Sequence, residues 1–225
     1  MTSHSNVDAW DRAAARYRQE YDPPTQQVPY GPGMPDDGEV RLLPSYAGKR
    51  VLDLGCGAGQ AAVAFSRQSA RTIAVDTSAD QLAGARRRAE QDGAKLDLHH
   101  GDMTSLAFIS ADSIDLVFSA STLDYVEDLG RVLRAAHRVL KPGGHFVFTL
   151  EHPAALAGNG PRGYAEPGPL KVERYGEQFL LYPRTMAETL AAVTKEGFRL
   201  DGLAEPVAPG ARLPAAAVWR TRKER

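Results

Sequence analysis

Between Arg50 and Gln60 the chain reads Arg-Val-Leu-Asp-Leu-Gly-Cys-Gly-Ala-Gly-Gln. The first half is a short apolar strand, with Asp53 where that strand ends. Gly55, Gly57 and Gly59 then alternate through a turn that opens a helix. Glycine adopts positive φ without steric penalty and lets a ligand approach backbone that a Cβ would cover. In an open parallel sheet, ligands bind at the carboxyl ends of the strands. This stretch predicts such a sheet, with a site at the glycine turn.

The rest of the pattern agrees, because strands and amphipathic helices alternate. Thr72–Val75 reads as a second strand stopping at Asp76. Ser78 caps a helix to about Asp92, with Leu82, Ala85 and Ala89 inward and the Arg86–Arg88 run in solvent. Leu96 and Leu98 mark a third strand and Ser113–Ser119 a fourth. A helix over Glu127–Leu140 is stopped by Lys141-Pro-Gly-Gly144, and His145–Leu150 is a fifth strand. After an Arg184–Glu196 helix, Phe198–Ala204 and Ala215–Arg220 form a closing antiparallel pair. The expected fold is α/β: a Rossmann-like, doubly wound, seven-stranded, mostly parallel sheet with a C-terminal antiparallel hairpin.

Two regions lie outside this alternation. Residues 1–38 are expected to form an N-terminal helix and a lid-like loop, with residues 1–6 disordered. That helix, over Val7–Tyr21, is capped by Asp8 and carries Trp10, Ala13, Ala14, Tyr17 and Tyr21 on one face. It reads equally as a packing helix and as a lid. Val40–Leu43 is a short helical turn. Residues 39–225 are expected to be one domain, with 151–183 as a proline- and glycine-rich substrate-side insertion that has room for a strand pair over Val172–Leu181.

Composition removes several function classes. With 27 Lys and Arg against 28 Asp and Glu, the net charge is −1. No general field draws in nucleic acid or an anionic membrane. The basic Arg220–Arg225 tail reads as a solvated terminus. The single cysteine, Cys56, leaves no internal disulfide and no multi-cysteine metal site, and no metal is expected. No apolar run reaches a membrane span and the first residues are polar, so a cytoplasmic protein without a membrane partner is expected.

Spacing narrows the ligand. A dinucleotide site needs Gly-x-Gly-x-x-Gly, whereas here the glycines fall at 55, 57 and 59 and position 60 is Gln. Asp53 beside the turn opposes a diphosphate and suits an ammonium or sulfonium. Asp76, at the next strand end, is placed to accept two ribose hydroxyls. Asp102, at the third, is placed to accept from an exocyclic amine.

Val51–Gly59, Val75-Asp76, Gly101-Asp102-Met103, Ile114–Ser119 and Val139–Gly144, in this order and spacing, resemble the class I S-adenosylmethionine-dependent methyltransferases. Tyr30-Gly-Pro32, Glu151-His-Pro153 and Arg184-Thr185 look like a small-molecule subgroup, in which a histidine often precedes the Arg-Thr pair; here that position is Pro183. The resemblance implies S-adenosylmethionine as cofactor. It implies that Gly55 and Gly57, with Asp53 behind, hold its methionine part, and that Asp76, with Thr77 and Gln81, holds the ribose edge. Asp102 and Met103 would hold the adenine, and Ser119 would lie near the methyl group.

Methyl transfer from a sulfonium needs mainly alignment of the nucleophile, with a general base only for a protonated acceptor. His152 is the natural proton acceptor, or else a histidine that orients the loop before Pro153. Asp124 is a base or substrate anchor, or else a residue at a helix start. Tyr30 is a third catalytic candidate and Arg184 a carboxylate anchor; Cys56 is a small buried filler. The expected activity is methylation of O, N or C on a small-molecule acceptor such as a secondary metabolite. The rivals are a protein or RNA methyltransferase and a dinucleotide-binding oxidoreductase or nucleotide-binding module. The motifs specify neither the acceptor nor the oligomeric state.

Overall fold

The computed structural model describes residues 4–158 and 162–224. Residues 1–3 of the N-terminus expected to be disordered, residues 159–161 of the expected insertion and Arg225 of the basic tail lie outside the described residues, and His4–Asn6, expected to be disordered, are helical. Nine strands and seven α-helices are described: α1 (His4–Glu20), α2 (Asp37–Val40), β1 (Arg50–Leu54), α3 (Gln60–Arg67), β2 (Arg71–Asp76), α4 (Ala79–Asp92), β3 (Leu96–His100), β4 (Ile114–Ser119), α5 (Leu129–Val139), β5 (Leu140–Glu151), α6 (Pro153–Gly158), β6 (Leu170–Arg174), β7 (Glu177–Leu181), α7 (Met186–Lys195), β8 (Phe198–Ala204) and β9 (Ala216–Lys223).

Seven strands form one sheet in the order β3-β2-β1-β4-β5-β9-β8. The first five run parallel, and β9 lies antiparallel between β5 and β8. The expected mostly parallel sheet with its antiparallel closing pair is therefore the observed one. The chain winds outward from β1 to β3 and then returns to the other side of β1 with β4. That reversal opens a crevice at the carboxyl ends of β1 and β4.

Both sheet faces are covered, so the central strands are buried on each side. Successive side chains of β1 alternate between faces. Leu52 and Leu54 pack with Phe146, Phe148, Val132 and Leu133 on the α5 side. Val51 joins Phe65, Phe118 and Val147 on the α3 side. Asp53 shares the parity of Val51 and is carried, 2% exposed, beneath the glycine turn.

Local chemistry sets most boundaries. Ser78 Oγ accepts from Gln81 N at the start of α4, and Gly93 ends that helix in the left-handed region. Thr185 and Glu188 form a reciprocal capping box for α7. Elsewhere the structure corrects the expected bounds. α1 starts at His4, so Asp8 lies inside it rather than capping it. The short helix near residue 40 covers Asp37–Val40, because Asp36 caps it by accepting from Gly38 N and Arg41 ends it at φ 53°. β5 starts at Leu140, with an irregularity in its pairing opposite Ile114 and Leu116, so Lys141–Gly144 is extended strand.

Two basic segments are more engaged than expected. Lys223 is buried at the end of β9, its Nζ donating to Asp112 Oδ1 and to the carbonyls of His137 and Leu140. Arg88 reaches back to the glycine turn, donating from Nε to Ala58 O at 3.1 Å.

The 151–183 stretch is more regular than its composition suggests. α6 follows β5, and β6 and β7 pair as a hairpin across Tyr175-Gly176, both at positive φ. That is the two-residue turn chemistry of a tight hairpin. Helix α1 docks on the hairpin, with Ala9 and Ala13 packed on Phe179. Asn6 locks the contact. Its amide donates to Tyr125 O (3.1 Å) and Leu180 O (2.9 Å), and its Oδ1 accepts from Leu180 N (2.9 Å). Asn6→Ala leaves three backbone groups short of a partner, at about 1–3 kcal/mol for each group that stays buried. We expect faster amide hydrogen exchange across α1 and β7 with β1, β2 and β4 still protected. Unchanged exchange in α1 would show that Asn6 does not hold it.

Candidate functional site

A cavity of about 310 Å³ lies at the carboxyl edge of the sheet, over the ends of β1, β2 and β4. One half is made by the motifs around the glycine turn. Asp53, Gly55, Gly57, Asp76, Thr77, Gln81 and Met103 all line it. Gly55 has φ 68° and lies against Thr122, so a Cβ there would come within 2.2 Å of Thr122 Cγ2. Gly57 has φ 53°, and the direction its Cβ would take is open to 3.7 Å. Its amide donates to Asp76 Oδ2 at 2.8 Å, while Asp76 Oδ1 accepts from Ser78 N at 2.9 Å. The carboxylate that closes β2 is thereby aimed across the turn. Burial pushes its pKa up.

Three polar side-chain atoms in this half are buried without a partner among the described residues: Asp53 Oδ2, Gln60 Nε2 and Gln81 Oε1. An orphaned buried polar group is destabilising unless a ligand satisfies it. Burial, and then the charge of Asp76, push the Asp53 pKa up to about 8. Two acceptors and one donor are thus left unpaired beside the glycine turn. Gln60 went unrecognised in the sequence because it registered only as the residue that breaks the dinucleotide spacing. Cys56 also lines the cavity; it packs with Ala62, Ala74 and Leu82, and burial pushes its thiol pKa up.

The other half is made by segments far apart in the chain. Trp10 and Tyr17 of α1, and Tyr21 just beyond its end, line it, so α1 packs on the hairpin and also borders the cavity. Tyr125, in a 3₁₀ turn over Leu123–Tyr125, joins them with Glu151 and, from the hairpin, Arg174 and Tyr175.

The three catalytic candidates are not among the lining residues. Tyr30 has its ring buried against Phe118, and its hydroxyl donates to Asp37 Oδ1 at 2.6 Å; Gly31 and Pro32 beside it reach the cavity instead. His152 Nε2 pairs with Glu205 Oε1 at 2.6 Å, and its Nδ1 accepts from Ala154 N. It is Glu151, one residue earlier, that lines the cavity, since alternate residues of an extended chain face opposite ways. Asp124 lies buried behind, accepting from Glu151 N at 3.1 and 3.2 Å. Burial and the nearby Glu151 charge push its pKa up to about 7.

Three further candidates are displaced. Ser119 is fully buried and donates to Leu54 O at 2.8 Å, tying β4 to β1; Ser121 and Thr122 line the cavity in its stead. Asp102 is exposed and its Oδ1 accepts from Thr104 N at 2.7 Å, while Gly101 and Met103 on either side line the cavity. Arg184 donates to the carbonyls of Leu123, Tyr182, Val126 and Glu127, so it holds the 3₁₀ turn rather than anchoring a carboxylate.

Among known proteins, the methyltransferase domain family matches residues 52–148. A ubiquinone biosynthesis O-methyltransferase of Methylocella silvestris is 30% identical over 80% of this chain and 71% of its own. One from Ruegeria pomeroyi is 36% identical over 44% of this chain and 40% of its own. The chain thus spans less than half the length of several curated relatives. A solved S-adenosylmethionine dependent methyltransferase from Mesorhizobium loti superposes with a TM-score of 0.65 at 27% identity, over 81% of this chain and 94% of that one. The chain belongs to the class I S-adenosylmethionine-dependent methyltransferases. S-adenosylmethionine is therefore the expected cofactor. Among the described residues no helix is long and apolar enough to cross a membrane.

Proposed function

We propose that this chain transfers a methyl group from S-adenosylmethionine to an oxygen, nitrogen or carbon atom of a small-molecule acceptor. The observation that carries the reading is Asp53 Oδ2, buried at the cavity and without a partner beside the Gly55–Gly57 turn. A carboxylate in that position fits the amino group of a methionine moiety, and Gln60 Nε2 supplies a donor for its carboxylate. Asp76 keeps lone pairs for ribose hydroxyls after accepting from Gly57 and Ser78. Thr77 and Gln81 flank that edge, and the Met103 side chain offers an apolar surface for adenine. The Asp102 carboxylate, exposed and turned to Thr104, has no part in this arrangement beyond shaping its loop.

When bound, the cofactor supplies a methyl group already activated on a positively charged sulfur. The chain's own task is alignment and exclusion of water. The aromatic side chains of α1 and the hairpin cover the cavity, and Ser121 and Thr122 border it between the two halves. The curated relatives named for ubiquinone O-methylation support a small molecule over a protein or RNA. The glycines at 55, 57 and 59, with Gln at 60, lack the third dinucleotide glycine, which disfavours the pyrophosphate that an oxidoreductase would bind.

Calorimetry tests the reading. S-adenosylmethionine and S-adenosylhomocysteine should bind and NAD(H) should not. Asp76→Ala should weaken both by about tenfold or more, which is about 1.4 kcal/mol. Heat from NAD(H) with none from either methyl-cofactor form would reverse the assignment, and unchanged affinity in Asp76→Ala would remove the ribose role.

A further inference from the structure

The half of the cavity away from the glycine turn combines an aromatic wall with one polar cluster. Trp10 meets Tyr17 and Tyr125 edge-on at centroid distances of 5.6 and 5.1 Å, and Tyr17 meets Tyr175 at 5.1 Å. Against this wall, Arg174 holds Glu151 through both terminal nitrogens, Nη2 to Oε2 at 2.9 Å. Its Nη1 also donates to the Tyr125 hydroxyl at 3.1 Å.

The unused valences define what this cluster recognises. Tyr125 accepts from Arg174, so its own proton has no partner among the described residues, and burial pushes its pKa up so that the proton stays. Each Glu151 oxygen keeps a lone pair, and Arg174 keeps an Nη2 hydrogen and its Nε hydrogen. Donors and acceptors are both on offer, but the charges cancel within the pair. A ligand carboxylate would meet Glu151, and a ligand ammonium would meet Arg174. A hydroxyl, donor and acceptor at once, matches both. The walls favour a flat apolar body, since aromatic rings pair in offset or edge-on contact.

We propose that Tyr125, Glu151 and Arg174 form the acceptor subsite, and that it takes a neutral planar compound bearing a hydroxyl, a phenol or catechol. The ring lies against Trp10, Tyr17 and Tyr175, and the hydroxyl docks on the Glu151–Arg174–Tyr125 cluster. This rests on reading the cavity as a methyltransferase site. It makes the hairpin, through Arg174, the specificity element of the chain.

The test uses full-length protein saturated with S-adenosylhomocysteine and titrated with catechol, benzoate and benzylamine. Catechol should bind, and the two charged rings should bind at least about tenfold more weakly. Tyr125→Phe removes one hydrogen bond and should weaken catechol by about five- to tenfold, with S-adenosylhomocysteine affinity within about twofold of wild type. Binding of benzoate or benzylamine as tight as that of catechol overturns the subsite, as does wild-type catechol affinity in Tyr125→Phe or no catechol binding at all. Failure of S-adenosylhomocysteine to bind the wild type takes the methyltransferase reading down with it, whereas its binding without discrimination among the rings removes the subsite alone.

Discussion

Asp53→Asn is expected to lower S-adenosylmethionine affinity by about 10- to 100-fold while making the ligand-free protein more stable at pH 8. The binding loss follows from removing a charge-assisted hydrogen bond, which contributes about 1.5–3 kcal/mol. The stability gain follows from the carboxyl's surroundings. Burial and Asp76 push Asp53 up to about 8 in the fold, against about 3.9 in an unfolded chain. The folded state therefore holds the proton more tightly. The stabilisation this gives is complete below about pH 4 and is lost as the pH rises through about 8. The Asn variant has no such loss. A ligand amine facing Asp53 reverses the preference, because the ionised carboxylate is then the paired form. Binding to the wild type at pH 6.5 should release close to one proton, visible as a calorimetric heat that varies with the buffer's ionisation enthalpy. The Asn variant should release far less. Equal proton release in the two proteins would assign the linkage to another group.

The second large effect is expected at Gly55. An alanine there must hold φ 68°, and its Cβ must displace the Thr122 side chain, 2.2 Å away at Cγ2 and 2.7 Å at Oγ1. Thr122 is itself held, its Oγ1 donating to Gly55 O at 3.2 Å and Ala120 O at 2.9 Å. Left-handed backbone at a non-glycine costs about 1–2 kcal/mol, and forced repacking adds about 1–3 kcal/mol. The sum, roughly 2–5 kcal/mol, corresponds to a fall of about 5–15 °C in melting temperature for a chain of this size. Thr122→Ala in the same background should restore part of the loss, leaving the backbone strain. Additive effects of the two substitutions would show that they do not meet.

The sheet was legible because its signals are local. Apolar runs such as Val51–Leu54 and Ile114–Ser119, the Ser78 cap and the glycine turn each act within a few residues, and strand alternation then leaves little choice of architecture. The glycine-turn half of the cavity was legible for the same reason: Asp53, Gly55, Gly57 and Asp76 mark strand ends on one edge of one sheet. The other half was not. It is assembled by contacts such as Asn6 with Leu180 and Arg174 with Tyr125, between segments that carry no mark of one another. Chemical type misled where tertiary partners decide. His152, Tyr30 and Asp124 have the right functional groups, but each is engaged with Glu205, Asp37 or the Glu151 backbone. The Tyr175-Gly176 dipeptide was a readable hairpin signal, hidden among the neighbouring prolines and glycines.

In the proposed arrangement the buried Asp53 carboxylate faces the amino group of the bound methionine moiety. A crystal structure of the chain with S-adenosylhomocysteine tests it most directly. The ligand amine should lie within about 3 Å of Asp53 Oδ2, with the ribose hydroxyls on Asp76 and the sulfur facing the half of the cavity that holds Tyr125 and Arg174. A ligand seated elsewhere, or one in this cavity with its amine turned away and Asp53 Oδ2 still without a partner, would contradict it.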